Sequence, residues 1–109
     1  MELSVVIPVY NEKESLPKLH AALNEALGVI SYPWEIVYVD DGSTDGSPDA
    51  LAELAEADTK HTRVVALRRN FGQTAAIAAG LDYAMGDVIV LMDADMKNDP
   101  ADIPMMLEK

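Results

Sequence analysis

The sequence contains no cysteine, and this absence excludes disulfide bonds and cysteine-ligated zinc sites. Basic residues are scarce as well: 8 Lys and Arg stand against 19 Asp and Glu, which gives a formal net charge of −11. So acidic a chain lacks the basic surface that nucleic-acid binding requires, and we expect no nucleic-acid partner. No apolar run approaches the roughly 20 residues that cross a bilayer, and the amino terminus lacks the basic start of a signal peptide.

Several nucleotide-binding and hydrolase motifs are also missing. The sequence has no G-x-G-x-x-G dinucleotide fingerprint, no P-loop and no G-x-S-x-G nucleophile motif. What is present is a chain of 109 residues, of which 50% are hydrophobic and 25% are charged. This composition is typical of a globular domain, and the length suffices to bury one core.

Strand-like and helix-like segments alternate along the chain. β-Branched runs predict buried strands, whereas leucine or alanine at spacings of three and four predicts amphipathic helices. The predicted strands cover residues 3–7, 34–39, 63–67 and 87–92, and the predicted helices cover residues 14–27, 47–57, 74–85 and 102 onward. Strands separated by helices pair in parallel through right-handed crossovers. The order βαβαβαβα therefore predicts an α/β fold, a three-layer α/β/α sandwich with a mostly parallel sheet.

Polar residues concentrate directly after each predicted strand, whereas the segments before the strands carry no comparable cluster. In a parallel sheet the carboxyl ends of the strands share one edge, where ligands bind. The four clusters are Pro8-Val9-Tyr10-Asn11-Glu12, Asp40-Asp41-Gly42-Ser43-Thr44-Asp45, Arg68-Arg69-Asn70-Phe71-Gly72-Gln73 and Asp93-Ala94-Asp95. We therefore expect a binding site at this edge of the sheet.

The last cluster carries two carboxylates around one small residue. Asp93 and Asp95 flank Ala94, and carboxylate oxygens at this spacing suit Mg²⁺ or Mn²⁺. A metal held there would neutralise a diphosphate leaving group. The alternative is a solvated turn in which Asp95 caps a helix. The position of Asp93 and Asp95 at a strand end, next to other acidic residues, favours the metal site over this alternative.

The second cluster allows two interpretations of equal weight. Asp41 can accept a hydrogen bond from a nucleobase N–H, and Gly42 allows a close approach of the backbone. Ser43, Thr44 and Asp45 are also good helix caps. The two roles are compatible, with one acidic residue at the helix and the other at a ligand.

The first cluster favours a structural role when it is considered alone. Tyr10 can lie along a base or ribose, and Glu12 can accept a hydrogen bond from a hydroxyl group. The alternative is a strand-to-helix turn in which Asn11 caps the helix and Glu14 completes a capping box.

Further residues of interest have competing roles. Arg68 and Arg69 can pair with the nearby carboxylates or contact phosphate, and Phe71 is expected in the core. His20 and His61 lie in separate segments, and a structural or surface role is favoured over general-base catalysis for both.

Four segments together resemble the family 2 glycosyltransferases of the GT-A fold. The segments are VVIPVYNE at 5–12, EIVYVDDGSTDGS at 35–47, RRNFGQTAAIAAGL at 68–81 and GDVIVLMDADMKNDP at 86–100, in the order that the family has. The RNFGQ and DAD-x-x-x-DP patterns look most like the branch that acts on polyprenyl phosphates, which includes dolichyl-phosphate mannose synthases. The resemblance implies the Rossmann-like, nucleotide-sugar-binding half of a GT-A domain.

The resemblance also implies roles for individual residues. Asp41 would accept a base N–H, Asp95 would be the main ligand of Mg²⁺ or Mn²⁺, and Asp93 would contact ribose or metal. Asp93 and Asp95 would thus be the catalytic pair. Lys97 stands where many relatives carry a metal-assisting Gln, and a protonated lysine cannot coordinate a metal. The implied contacts to the nucleotide sugar are Pro8, Tyr10, Glu12, Val39, Asp41, Asp93 and Ala94.

The implied reaction transfers a sugar from a GDP- or UDP-linked donor to a polyprenyl phosphate. The acceptor phosphate would itself be the nucleophile, so a strong protein base is not needed. By the same resemblance the protein is cytoplasmic, at the cytoplasmic face of a membrane in its full-length form. A homo-oligomeric state is left open.

Residues 1–109 are expected to form the N-terminal part of the GT-A domain, truncated before its acceptor-side half. The helix expected from residue 102 has no C-cap signal, and any membrane helices would follow it. We expect these residues alone to be inactive on polyprenyl phosphate. One rival function is a nucleotide-sugar-binding or regulatory module without catalysis. A receiver-like signalling domain is disfavoured, because such domains carry an acidic pair after the first strand, where this chain has Pro8-Val9-Tyr10.

Overall fold

The computed structural model describes residues 2–94, in which four strands and three helices alternate. All strand pairs are parallel, and the order across the sheet is β3-β2-β1-β4. The elements are β1 (Leu3–Val9), α1 (Leu16–Leu27), β2 (Trp34–Asp40), α2 (Ser47–Ala57), β3 (Thr62–Ala66), α3 (Gln73–Tyr83) and β4 (Val88–Leu91). The predicted α/β fold with a parallel sheet is confirmed. The helix predicted from residue 102 lies outside the described residues.

Alternate side chains of the central strand β1 supply the two faces of the sheet. Val6 and its β2 neighbours Val37 and Val39 pack against α3. Side chains at the odd positions of β1 join the larger core cluster with α1 and α2, and these are Leu3, Val5, Ile7 and Val9. A strand with helices on both faces is apolar on both faces, which explains its continuous hydrophobic run. The sheet is therefore the middle layer of three.

Helix α1 packs through four leucines at spacings of three and four, as its sequence predicts. Leu16, Leu19, Leu23 and Leu27 have no exposed surface, and burying each contributes about 1.5–3 kcal/mol relative to leaving it in water. The helix begins two residues later than predicted and carries a proline in its first turn, where the missing N–H is harmless. With 12 residues it is the longest helix of residues 2–94, and none of them could span a membrane.

Helix α3 lies close to the opposite face because its packing residues are small. Ala76 and Gly80 are buried against the sheet. A Cβ added to Gly80 would lie 2.4 Å from Val6 Cγ1 and 3.0 Å from Val39 Cγ2. A side chain there would push the helix outward, so Gly80 sets the distance between α3 and the sheet. Because α3 follows β3, its amino end lies at the carboxyl edge of the strands.

Candidate functional site

An open cavity of about 390 Å³ lies at the carboxyl edge of the sheet. Its walls come from the ends of β1 and β2, from the loop between β3 and α3, and from the residues after β4. The lining residues are Pro8, Val9, Tyr10, Glu12, Asp41, Asn70, Gly72, Gln73, Asp93 and Ala94. The parallel sheet therefore gathers four distant segments, as the position of the polar clusters predicts.

Most of the predicted site residues meet in this cavity. Pro8, Tyr10, Glu12, Asp41, Asp93 and Ala94 line it. Val39 does not, because its side chain is fully buried on the α3 face of the sheet, and its predicted contact with a base stays a prediction. Asp95 and Lys97 lie outside the described residues, so the role of Asp95 as the main metal ligand also stays a prediction.

Pro8 accounts for the opening between β1 and β4. Strand β1 continues through this proline to Val9, beyond the end predicted at Ile7. Met92 N–H donates to the Val6 carbonyl at 3.1 Å. Pro8 is the next β1 residue that faces β4, and it has no N–H to continue the ladder. A second cavity of about 240 Å³ opens there, and it shares Pro8, Gln73 and Asp93 with the first.

Asp41 holds the loop between β3 and α3. Its Oδ1 accepts a hydrogen bond from Phe71 N–H at 2.8 Å, and its Oδ2 accepts one from Gly72 N–H at 3.0 Å. The side-chain amide of Asn70 donates to Oδ2 at 3.3 Å. Asp41 is 3% exposed, and a carboxylate this buried requires such charge-assisted hydrogen bonds. The Asp41 carboxylate, which follows the end of β2, thus holds this loop in place at the wall of the cavity.

Gly42 allows the same two loops to approach each other. Its φ is +71°, and an added Cβ would lie 2.3 Å from the carbonyl carbon of Arg69 and from the backbone nitrogen of Asn70. The close approach predicted at Gly42 is therefore made by the protein's own backbone.

Asn11 joins the loop after β1 to the loop after β2. Its φ of 53° lies in the left-handed region, which asparagine tolerates better than most residues. Its Oδ1 accepts a hydrogen bond from Thr44 N–H at 2.7 Å, and its own N–H donates to Ser43 Oγ at 3.0 Å. The predicted capping box with Glu14 is wrong, since α1 begins at residue 16 after Ser15. These bonds instead hold the cavity rim formed by residues 10–12.

Asp45 forms hydrogen bonds at the start of α2 and does not line the cavity that Asp41 lines. Its Oδ1 accepts hydrogen bonds from Ser47 N–H at 2.9 Å and Ser47 Oγ at 2.6 Å. The pKa of Asp45 lies below its usual value, mainly because its carboxylate accepts the hydrogen bond from the Ser47 hydroxyl. Its Oδ2 accepts from Lys13 N–H at 3.2 Å. The N-cap position of α2 is Gly46, without a side-chain cap, so Ser43, Thr44 and Asp45 do not cap the helix as predicted. The contact of Asp41 with a ligand stays a prediction.

Besides Val9, the last residue of β1, three cavity residues were given no ligand-contacting role by the sequence, and these are Asn70, Gly72 and Gln73. The available signal was their position after the third strand. Gln73 Nε2 lies 3.4 Å from Asp93 Oδ1 and donates to it.

Arg68 and Arg69 of the same loop form no ion pair with the carboxylates of residues 2–94. Within residues 2–94 the recorded ion pair joins Arg63 to Glu35, so neither Arg68 nor Arg69 pairs with a described carboxylate. The Arg69 guanidinium lies 4.8 Å from the centroid of the Phe71 ring. Phe71 is 50% exposed, and the prediction that it belongs to the core is wrong.

Both histidines have structural roles, as predicted. His20 Nδ1 lies 2.8 Å from Tyr38 Oη in the layer between α1 and the sheet. Burial lowers the pKa of His20, an effect that the charge of Asp58 partly offsets. The His61 ring stacks on Trp34 with centroids 3.8 Å apart. Neither histidine lines the cavity.

Asp93 is the carboxylate of this cavity best placed to receive a cation. It is partly exposed and its described side-chain contact is the amide of Gln73, whereas Asp41 is occupied by N–H groups. An uncommitted carboxylate oxygen is a suitable ligand for Mg²⁺ or Mn²⁺. Residues 2–94 contain no group of three or more His, Cys, Asp or Glu side chains placed to hold a metal. A cation at Asp93 would therefore take further ligands from residues after 94 or from a bound diphosphate.

The chain is similar to a curated bacterial transferase. It is 51% identical, over 97% of its length, to the undecaprenyl-phosphate 4-deoxy-4-formamido-L-arabinose transferase of Pectobacterium carotovorum. That match covers 32% of the transferase. The chain thus spans about a third of the length of the curated relatives that it matches.

Solved structures of two glycosyltransferases share the fold. One is the mannosyltransferase PcManGT from Pyrobaculum calidifontis in complex with GDP-Man and Mn²⁺, at 30% identity and a TM-score of 0.71. The match covers 85% of this chain and 27% of that one. The other is TarS 1–349 from S. aureus in complex with UDP-GlcNAc, at 26% identity and a TM-score of 0.69, covering 87% of this chain and 27% of that one.

The family is shown by a match over almost the whole sequence. The profile of glycosyl transferase family 2 matches residues 4–109. The parallel sheet agrees with the GT-A structures above, and the curated relative confirms the resemblance to the polyprenyl-phosphate branch. The chain belongs to glycosyl transferase family 2.

Proposed function

We propose that this chain is the nucleotide-sugar-binding part of a glycosyltransferase that transfers a sugar from a nucleoside-diphosphate donor to a polyprenyl phosphate. The observation that carries the proposal is the cavity in which Tyr10, Asp41 and Asp93 meet at the carboxyl edge of the sheet. The 51% identity to a transferase named for undecaprenyl phosphate supports the choice of acceptor. Residues 1–109 are then the N-terminal part of the domain, and an acceptor-side half would complete it.

The cavity suits a nucleotide in three respects. Tyr10 is 46% exposed at the rim, so its ring is available to lie along a base or ribose. Glu12 offers a carboxylate to a sugar hydroxyl. Asp41 accepts three hydrogen bonds from the loop, and the remaining lone pair on its Oδ1 is the fixed acceptor for a base N–H. Uracil and guanine both present such an N–H, and the solved relatives contain UDP-GlcNAc and GDP-Man respectively.

A divalent cation, Mg²⁺ or Mn²⁺, would assist at Asp93 and Asp95. When bound, such a cation supplies positive charge to the diphosphate that departs from the sugar. Carboxylate ligands fit this role, and the PcManGT complex contains Mn²⁺. Lys97 could then contact a diphosphate oxygen, since a protonated amine donates and does not coordinate.

In the proposed reaction an oxygen of the acceptor phosphate bonds to the anomeric carbon of the sugar. The bond from that carbon to the nucleoside diphosphate breaks, and the diphosphate leaves with the electron pair. A phosphate is ionised near neutral pH, so the protein need not remove a proton. The chain's own residues act by holding the donor in place. The sugar named for the relative, 4-deoxy-4-formamido-L-arabinose, is the first donor sugar to test.

The site of action would be the cytoplasmic face of a membrane, where the lipid acceptor lies. Membrane association would come through the part of the domain that holds the acceptor. The oligomeric state stays open, and light scattering of the full-length protein would distinguish a monomer from a homo-oligomer.

Calorimetry on this chain tests donor binding directly. We expect UDP or GDP to bind more tightly with Mn²⁺ than without it, and we expect Asp93→Ala to remove most of that difference. Asp82→Ala is the matched control, since this exposed aspartate lies on α3 away from the cavity. Equal affinity with and without Mn²⁺, in both the original chain and the Asp93 variant, would contradict the metal assignment.

Transfer itself requires a separate assay with labelled donor and polyprenyl phosphate. We expect the full-length protein to form the lipid-linked sugar and the 109 residues alone to form none. A full-length protein that binds nucleotide sugar without transferring it would instead be the non-catalytic binding module.

A further inference from the structure

Gln73 lies at the boundary between the cavity of about 390 Å³ and the neighbouring cavity of about 240 Å³. It is the first residue of α3, and it lines the larger cavity together with Asp41 and the smaller one together with Leu91. Pro8 and Asp93 are the other residues common to both cavities. The side chain of Gln73 is therefore placed where a ligand extending from one cavity into the other would pass.

The amide of Gln73 is directed at the carboxylate proposed to receive the cation. Nε2 donates to Asp93 Oδ1 at 3.4 Å. A primary amide is neutral, so it can fix the orientation of Asp93 without cancelling its negative charge. Asp93 Oδ2 has no described hydrogen-bond partner within residues 2–94, and the contact to Oδ1 leaves that oxygen available to a ligand.

The fold has little need of this side chain. Gln73 is exposed, and the N-cap residue before α3 is Gly72, which provides no side-chain cap. The helix is held to the sheet by Ala76 and Gly80, and the preceding loop is held by Asp41. A solvent-exposed glutamine whose amide reaches a cavity carboxylate is therefore better explained by ligand binding than by stability.

We propose that Gln73 is a positioning residue that holds the Asp93 carboxylate in the orientation required to bind a divalent cation with the donor diphosphate. This inference rests on the proposed function, because it assumes metal-dependent nucleotide binding at Asp93. Partners that orient a metal ligand set its affinity, and their loss typically weakens metal binding by about 10-fold to 100-fold. At 3.4 Å the hydrogen bond from Gln73 is long, so we expect a loss of about 10-fold.

The test measures the Mn²⁺ concentration that gives half-maximal binding of UDP or GDP to this chain. We expect Gln73→Met, which keeps the length of the side chain and removes the amide, to raise that concentration about 10-fold. Gln73→Ala should give a similar rise. Binding of uridine or guanosine, which lack the diphosphate, should change less than about twofold, since a nucleoside does not require the metal.

Thr74→Ala is the matched control, because Thr74 is exposed on the next position of α3 and lines neither cavity. It should leave the Mn²⁺ requirement unchanged. A Gln73→Met variant with the original Mn²⁺ requirement would overturn the inference. So would a variant that loses affinity for uridine or guanosine as much as for UDP or GDP. If the unaltered chain binds nucleotide without any Mn²⁺ dependence, the failure belongs to the proposed function, and the two outcomes are distinct.

Discussion

Two buried carboxylates stand at opposite edges of the sheet, and each ties a loop to it. At the carboxyl edge, Asp41 accepts hydrogen bonds from Phe71 N–H, Gly72 N–H and the Asn70 amide. At the amino edge, Glu35 accepts from Ser4 Oγ at 2.6 Å and from Met85 N–H at 2.7 Å.

The difference between them is the presence of a cation. Arg63 Nη1 lies 3.2 Å from Glu35 Oε1 and neutralises it, whereas no described cation pairs with Asp41. Burial by itself raises the pKa of Glu35, but the bonds from Met85, Ser4 and Arg63 outweigh burial, and the net pKa lies below its usual value. Glu35 is thus a closed structural tie. Asp41 makes a similar tie without a cation among the described residues, and it lies at the wall of the cavity.

The largest expected effect comes from removing the Asp41 carboxylate. Asp41→Ala leaves two backbone N–H groups without their acceptor and should lower the free energy of unfolding by about 4 kcal/mol. Nucleotide affinity should fall more than about 10-fold, because the loop that forms one cavity wall loses its anchor. Urea denaturation and calorimetry measure the two effects. An Asp41→Ala variant that keeps nucleotide affinity would separate this edge of the sheet from ligand binding.

Gly42→Ala should disturb the same loop by steric means. The added Cβ would meet the Arg69–Asn70 backbone at 2.3 Å in a left-handed conformation, so the free energy of unfolding should fall by about 3 kcal/mol. Gly72→Ala is the control, since its φ is +99° but no atom lies within 4 Å of the added Cβ. Backbone strain alone should then cost about 1–2 kcal/mol. Equal losses in the two variants would show that the close approach of the loops contributes nothing.

Glu35→Ala should destabilise the fold and spare the ligand. It removes the acceptor for Met85 N–H and the partner of Arg63, and the free energy of unfolding should fall by about 2 kcal/mol, since Arg63 is partly exposed. Nucleotide affinity, measured by calorimetry where the variant is folded, should stay within about twofold of the original value. A large loss of affinity would mean that the two edges of the sheet are coupled.

The smallest expected effect is the pH dependence of the Glu35 tie. Because the folded pKa of Glu35 lies below its usual value near 4.5, the unfolded chain binds the proton more readily. The stabilisation is therefore complete above about pH 5 and is lost as the pH falls through the folded pKa. Glu35→Gln should be less stable than the original chain by about 1 kcal/mol at pH 7. Thermal unfolding at a series of pH values should show this difference shrink as the pH falls below 4.5 and through the lower folded pKa of Glu35.

Local patterns in the sequence were sufficient to predict the elements and the edge that carries the site. The leucine spacing of α1 and the apolar run of β1 each point to one structure, because their periodicity decides which faces can be buried. The predicted bounds of α2, residues 47–57, agree with the structure. Pro8, Tyr10, Glu12, Asp41, Asp93 and Ala94 were placed at the cavity because they follow strands whose carboxyl ends meet.

Contacts between segments distant along the chain were not predictable in this way. The hydrogen-bond donor to Asp41 was expected to be a ligand, and the structure instead supplies backbone N–H donors about 30 residues further along. Asn11 was expected to cap its own helix and instead bonds to Thr44. Phe71 was expected in the core because of its residue type, yet its loop is held so that the ring is half exposed beneath Arg69.

The sequence by itself determined the order of the elements, the parallel sheet and the family, since periodicity and strand-end motifs are local properties of the chain. The tertiary structure decided that Asp41 holds a loop and that Gln73 donates to Asp93 Oδ1. It also decided that Asp93 Oδ2 has no described hydrogen-bond partner within residues 2–94. Those properties depend on distances between side chains that only the folding of the sheet brings together. The shortage of basic residues leads to the prediction of no nucleic-acid partner from composition alone, whereas the pairing of Arg63 with Glu35 was decided by the fold.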